Sequence, residues 1–292
     1  MTEPNGADPG PCGRTDVRPR LRDAAADRSL HDAGVVVLLD AATSIVPRLQ
    51  HVFDTCYGIA PAGFHATMYC DDRAFKERVH GELRAILLPW LDALFEGHRL
   101  LLSNFVTKST GEAGVMPPHQ DWTFVDERFA ASYNVWIPLV DVNSANGAMS
   151  LLPRGHRIPL TIRGTDTPNA FDRVDADSRL VEISMSAGDV LVHDHRVLHS
   201  SPANHGDADR VVAGCALAPT GVPILHYRQV AEGVLERFTV PERFYTDHTF
   251  GADHLAASAG SPVPDRFSQP RFTERDLPEP VEVSRHRVRP AV

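Results

Sequence analysis

From His98 onward the chain is written in short β-rich stretches: LLLSNFVTK, YNVWIPLVDV, AMSLLP, RLVEISM, DVLVHDHRV and RVVAGCALAP. Gly, Asn and Pro separate them, and no long helical pattern lies between them. This texture constrains the fold more than any other feature. Several short strands at such spacing read as a sandwich or barrel and not as βαβ units. Before His98 the period is helical. One helix is predicted from Leu21 to His31, stopping near Gly34, a residue suited to a left-handed C-terminal cap. VVVLL at 35–39 reads as a buried strand. Apolar residues at Ile45, Val46, Leu49, Val52, Phe53 and Cys56 then predict an amphipathic helix. Another is predicted from Asp72 to Phe95, with Val79, Leu83, Leu87, Leu91 and Leu94 on one face and Pro89 expected to kink or interrupt it.

At 292 residues the chain can bury a sizeable core. Residues 1–18 are rich in Pro, Gly and charge and read as a disordered N-terminal tail. Residues 19–254 are expected to form a single domain, and residues 255–292 a loose C-terminal tail. A formal net charge of −9 argues against a nucleic-acid partner, for which a basic face would be needed. The basic stretches Arg14–Arg22 and Arg285–Arg289 are terminal and read as solvated. No apolar run approaches the roughly 20 residues that span a bilayer, so no membrane partner is expected. Cys12, Cys56, Cys70 and Cys215 are scattered without a framework, which suits a reducing, cytoplasmic compartment. Oligomeric state leaves no trace in the sequence.

The chemistry lies in the β-rich half. His119-Gln120-Asp121 places an imidazole and a carboxylate two residues apart, on one face of a strand. A second imidazole folded back beside them would complete two histidines and one carboxylate, the facial set that leaves half of an Fe(II) ion open. His193, His195 and His199 are all near enough in sequence to supply it. Arg210, 11 residues beyond His199, could hold the far carboxylate of a bound 2-oxo acid with its planar fork. The same three ligands could instead hold zinc and activate water for hydrolysis. A jelly roll could also serve as a non-catalytic binder of small molecules.

Four segments carry a resemblance: PPHQDWTFVDE (117–127), YNVWIPLVDVNSANGAMSLLPRGHR (133–157), AGDVLVHDHRVLHSSPANH (187–205) and RVVAGCALAP (210–219). In order and spacing the chain resembles the phytanoyl-CoA dioxygenase family of Fe(II)/2-oxoglutarate oxygenases, from about Ala26 to about Phe250. The resemblance implies a mainly β fold with flanking helices around a double-stranded β-helix, the jelly-roll or cupin-like core. It places the distal ligand in H-x-S-x-x-N, here His199, Ser201 and Asn204, and so assigns His119, Asp121 and His199 to the metal. His193 and His195 are left as neighbours, and His156 of LLPRGH as a turn residue. Ser201 is implied to share the distal carboxylate with Arg210, Trp136 to line the co-substrate pocket, and Asn104 to lie beside the 2-oxo acid. The implied reaction uses Fe(II), 2-oxoglutarate and O2 to oxidise a C–H bond of a small-molecule substrate, with release of succinate and CO2. Related halogenases have a small residue where Asp121 stands, so hydroxylation is expected rather than halogenation. The Ala-, Arg- and Val-rich composition suits a GC-rich bacterial genome, where enzymes of the resembled kind often tailor natural products, so a role in natural-product biosynthesis is expected by analogy. Expected substrate walls are Trp122–Ser132, the insertion between Ile158 and Leu180, and Phe64–Asp72.

Overall fold

The computed structural model describes residues 17–57, 61–164, 167–231, 234–248, 263–265 and 270–288. In chain order these begin with β1 (Arg20–Leu21), α1 (Ala24–Ala33), β2 (Val35–Leu39), α2 (Val46–Tyr57), β3 (Phe64–Ala66) and α3 (Arg73–Leu94). There follow β4 (Phe95–Glu96), β5 (His98–Lys108), β6 (Met116–His119), β7 (Tyr133–Pro138), β8 (Met149–Leu151) and β9 (Val181–Ile183). The remainder are β10 (Val190–Asp194), β11 (His199–Ser201), β12 (Arg210–Pro219), β13 (Ile224–Ala231), β14 (Val234–Val240), α4 (Phe244–Asp247), β15 (Val263–Asp265) and β16 (Arg285–Arg287).

A seven-stranded sheet, β16-β2-β10-β7-β12-β5-β3, faces a four-stranded sheet, β6-β11-β8-β9. Together they form the double-stranded β-helix. A three-stranded sheet, β13-β14-β15, is separate from both. The VVVLL strand shows how sequence sets the layers. Val35 and Val37 belong to the core shared with Met149, Leu151 and Ile183 of the smaller sheet. Val36 and Leu38 point the other way, into the core shared with Leu83, Leu87, Leu91 and Leu94 of α3. Because a strand alternates faces, a run buried on both sides must be continuously apolar.

The helices are capped as their sequences suggest. Asp23 accepts hydrogen bonds from the amides of Ala25 and Ala26, and Gly34 ends α1 with φ of 72°. The Asp72 carboxylate accepts from the Phe75 amide at the start of α3. The expected interruption at Pro89 does not occur, since α3 runs through it to Leu94. A proline inside a helix costs roughly 3 kcal/mol. Burial of Leu87, Trp90, Leu91 and Leu94 around it, at about 1.5–3 kcal/mol for each large apolar side chain, offsets that cost.

The C-terminal segment departs from expectation. Residues 1–16 lie outside the described residues, as do 249–262, 266–269 and 289–292, but 270–288 are not a loose tail. The Phe272 ring stacks on Phe171 at 4.8 Å, Leu277 is buried in the same cluster, and Val283 joins the jelly-roll core. β16 then pairs in parallel with β2, in the register Arg285↔Val37 to Arg287↔Leu39. The exposed edge of β2 would otherwise carry unpaired backbone groups. Among the described residues no helix is long and apolar enough to cross a membrane, and Cys56, Cys70 and Cys215 are free thiols.

Candidate metal centre

His119 ends β6, and its register partner across the ladder is His199 of β11. Asp121 lies just past the strand. The ligand atoms of His119, Asp121 and His199 fall within 4.8 Å of one another, and they form the one such cluster among the described residues. His199 Nε2 lies 3.8 Å from Asp121 Oδ1, and the two imidazole rings are 4.3 Å apart.

Each imidazole is oriented by its own strand. His119 Nδ1 lies 2.7 Å from the Pro117 carbonyl, and His199 Nδ1 lies 3.0 Å from the Val197 carbonyl. A carbonyl can only accept, so both Nδ1 atoms carry the proton and both Nε2 lone pairs face the cluster. That is the tautomer a metal ligand needs. Burial, followed by the neighbouring His199, pushes His119 down to about 4, and burial lowers His199 as well. Both are therefore neutral at pH 7. Burial alone would raise Asp121, but His199, His195, His193 and His119 around it hold the carboxylate below its ordinary range.

The carboxylate is also held mechanically. Asn134 of β7 donates from Nδ2 to Asp121 Oδ2 at 3.0 Å. Arg163 donates from Nε to the Asp121 carbonyl at 2.8 Å, while its other nitrogens grip Glu127 at 2.5 and 2.7 Å. Gln120, between the two ligands, is tied to the Arg196 carbonyl and to Thr161 Oγ1. Two neutral imidazole nitrogens and one ionised oxygen, with other positions left to solvent or ligand, fit a ferrous ion.

The other histidines supply no ligand atom to the cluster. His195 Nδ1 lies 2.8 Å from Ser132 Oγ and its ring packs against Phe124. His193 is fully buried, its ring 5.0 Å from that of His199. His156 packs under the C-cap of α1, where a Cβ built on Gly34 would come within 2.3 Å of its ring.

The cluster opens into a cavity of about 180 Å³ that also receives Asn104, Trp136, Ser201 and Arg210. Asn104 of β5 and Trp136 of β7 are the register neighbours of Gly214 on β12, which lies between them. Arg210 is 2 % exposed, lies 5.3 Å from the Trp136 ring centroid and donates to the Gly147 carbonyl. Its Nε is buried without a partner, and burial lowers the guanidinium to about 10. Among the described residues no carboxylate pairs with it. The expected site residues thus meet in one cavity, though its walls only partly match expectation. Phe64, Met68, Tyr69, Trp122 and Phe124 line it, whereas the Ile158–Leu180 insertion does not. Apolar residues of that insertion pack instead on Phe272 and Leu277, and Thr161, Arg163 and Asn169 line a neighbouring pocket that shares His119, Gln120 and Trp122. Sequence reasoning missed Asn134, Gly147 and Lys108. Asn134 lies two residues before Trp136 on the same strand, and that spacing was the available signal.

The family described as phytanoyl-CoA dioxygenase (PhyH) matches residues 60–212. The phytanoyl-CoA dioxygenase domain-containing protein 1 of Danio rerio is 32% identical over 124 residues, which are 39% of this chain and 42% of that protein. The match thus spans less than half of that relative. Among solved structures, the epimerase SnoN in complex with Fe3+, alpha ketoglutarate and nogalamycin RO is 19% identical, with 86% of this chain and 97% of that one covered at a TM-score of 0.51. HygX from Streptomyces hygroscopicus, with nickel, 2-oxoglutarate and hygromycin B bound, is 14% identical over 68% of this chain and 88% of that one, at a TM-score of 0.50. At these identities the likeness is one of fold.

Proposed function

Because the chain belongs to the phytanoyl-CoA dioxygenase family, whose match covers just over half of it, we propose that it is an Fe(II)/2-oxoglutarate-dependent oxygenase acting on a small molecule. The observation that carries this reading is the meeting of two unlike features in one cavity. One is a two-histidine, one-carboxylate cluster with both imidazoles presenting Nε2. The other is a buried arginine without a carboxylate partner. A hydrolytic zinc site would use the first and leave the second without a purpose.

His119, Asp121 and His199 would hold the iron, which together with 2-oxoglutarate and O2 supplies the oxidation of a C–H bond and releases succinate and CO2. The protein's own contribution is position and environment. Asn134 and Arg163 keep Asp121 in place. Arg210 and Ser201 offer a cation and a hydroxyl to the far carboxylate of the 2-oxo acid, with Trp136 beside the guanidinium and Asn104 across Gly214. Phe64, Met68, Leu102, Met116 and Phe124 give the rest of the cavity apolar wall. Apart from Asp121 and Arg210, no Asp, Glu, Lys or Arg among the described residues lines the cavity. The reacting part of the substrate is therefore uncharged. Asp121 fills the position a halide would need, which favours hydroxylation, or another oxidation without halogen transfer. A role in natural-product tailoring accords with the nogalamycin RO and hygromycin B named in the SnoN and HygX structures.

The test is anaerobic reconstitution with Fe(II), addition of 2-oxoglutarate, then admission of O2. Weak visible absorption from a chelated 2-oxo acid, followed by oxygen consumption and succinate release, is the expected result. Water-dependent turnover with zinc and none with iron would replace this reading by hydrolysis. Binding of small molecules with no succinate formed would leave a non-catalytic binder.

A further inference from the structure

Lys108 is the last residue of β5 and is fully buried. It stands directly opposite Arg210 in the β5–β12 ladder. Its ammonium donates to Ser201 Oγ at 2.7 Å, to the Ser201 carbonyl at 3.2 Å and to the Pro202 carbonyl. Three donors thus meet three acceptors, and none of them is a carboxylate. The chain makes room for this stem. A Cβ on Gly114 would lie 2.9 Å from Lys108 Cγ, and one on Gly147 would lie 2.9 Å from Lys108 Cδ. Gly147 also has φ of +79° and gives its carbonyl to Arg210. The NGAM motif therefore serves both cations at once.

Burial, followed by the neighbouring Arg210 charge, pushes the Lys108 amine down to about 7. Two basic groups on adjacent strands, neither paired with a carboxylate among the described residues, are therefore held together in charged form at a cost that an anion joining them would offset. Ser201 is the link between Lys108 and the cavity, which Ser201 lines and Lys108 does not. An ammonium can only donate. The two carbonyls can only accept, so in the protonated form the third N–H of Lys108 goes to the Ser201 oxygen, whose single O–H is then left to donate elsewhere.

We propose that Lys108 is a positioning residue that turns the Ser201 hydroxyl into a donor toward the distal carboxylate of the 2-oxo acid. Together with Arg210 it makes the cavity prefer a dicarboxylic 2-oxo acid to a monocarboxylic one of equal length. The inference rests on the reading of this cavity as a 2-oxo acid site.

The experiment compares two five-carbon probes on the anaerobic Fe(II) protein, followed by the visible band of the chelate. 2-Oxoglutarate carries the distal carboxylate, and 2-oxopentanoate does not. Lys108→Met should weaken 2-oxoglutarate by about tenfold or more, the scale of one hydrogen bond to a charged group, and leave 2-oxopentanoate unchanged. Ser201→Ala should do the same, and the double variant should be no weaker than either single one, because both changes remove one interaction. Equal weakening of both probes, or losses that multiply in the double variant, would make Lys108 a prop for the β11 end and overturn the proposal. If Lys108→Met does not fold, Lys108→Gln keeps an amide donor for the two carbonyls without the charge, and full selectivity in that protein also overturns it. Failure of both variants to fold counts against it too, since a charge held for the co-substrate is not required by the empty fold. Absence of any band with 2-oxoglutarate in the unaltered protein would instead reject the 2-oxo acid reading itself.

Discussion

Replacing Arg210 by Met should separate binding from stability. Burial lowers the guanidinium from 12.5 to about 10, which corresponds to roughly 3 kcal/mol against the charged form. At pH 7 that penalty is present in full, because both values lie far above the working pH. It is countered by the charged hydrogen bond to the Gly147 carbonyl, about 1.5–3 kcal/mol, and by the contact with the Trp136 ring, about 0.5–2 kcal/mol. In the ligand-free protein these nearly cancel, so Arg210→Met should change its stability by no more than ~1 kcal/mol. An arginine truncated out of a buried structural ion pair would instead cost about 3–5 kcal/mol. With 2-oxoglutarate present that same penalty falls on binding, because a buried carboxylate loses its partner. The dissociation constant should then rise by roughly two to three and a half orders of magnitude. Urea unfolding without ligand and anaerobic titration of the iron protein measure the two quantities independently. A large loss of ligand-free stability with unchanged 2-oxoglutarate affinity would refute the reasoning and make Arg210 a structural residue.

His119→Ala and His199→Ala should each abolish the chelate absorption, while His195→Ala retains it; the reverse pattern would show that the distal ligand is misassigned. With an accepted substrate, in chloride buffer under 18O2, the product should carry labelled oxygen, or a new unsaturation, and no chlorine by mass spectrometry. A chlorinated product would overturn the inference from Asp121. Phe272→Ala removes a ring stacked on Phe171 and should lower stability by about 3–5 kcal/mol; an unchanged urea midpoint would return 270–288 to the status of a tail.

The meeting of His119, Asp121 and His199 in one cluster was legible because the signal is local and the chemistry narrow. His119 and Asp121 share a short segment, and the return of a jelly-roll strand accounts for His199 beside them. Lys108 was not legible for the opposite reason. In TKSTGE it has the sequence of a solvated strand end, and only the folding of Ser201 and Pro202 over it makes it a buried cation. Gly147 reads as a turn glycine, which it is. Nothing local says that its missing side chain is also space for Lys108. The strand at Arg285–Arg287 is hidden in the same way. Arg-His-Arg has no apolar alternation, and its strand character comes from the edge of β2, more than 240 residues earlier in the chain. The insertion between Ile158 and Leu180 is expected as a substrate wall, yet its apolar residues are claimed by the C-terminal segment.

The cavity lining has two parts of different character, and on the proposed function this sets which molecule meets which. Arg210 is nearly inaccessible, and the Trp136 ring beside it is buried as well. Elsewhere in the lining Tyr69 is 48 % exposed and lies edge-on to Trp122 at 6.0 Å. A dianion that settled among the aromatic rings would lose its water without gaining a cation. An uncharged substrate that settled against Arg210 would leave the guanidinium buried and unpaired. Each wrong placement is penalised by a separate group, so Arg210 would draw the 2-oxo acid and the aromatic walls would draw the substrate. A charged substrate would find neither Asp121 nor Arg210 free, because the first is committed to the metal and the second to the co-substrate.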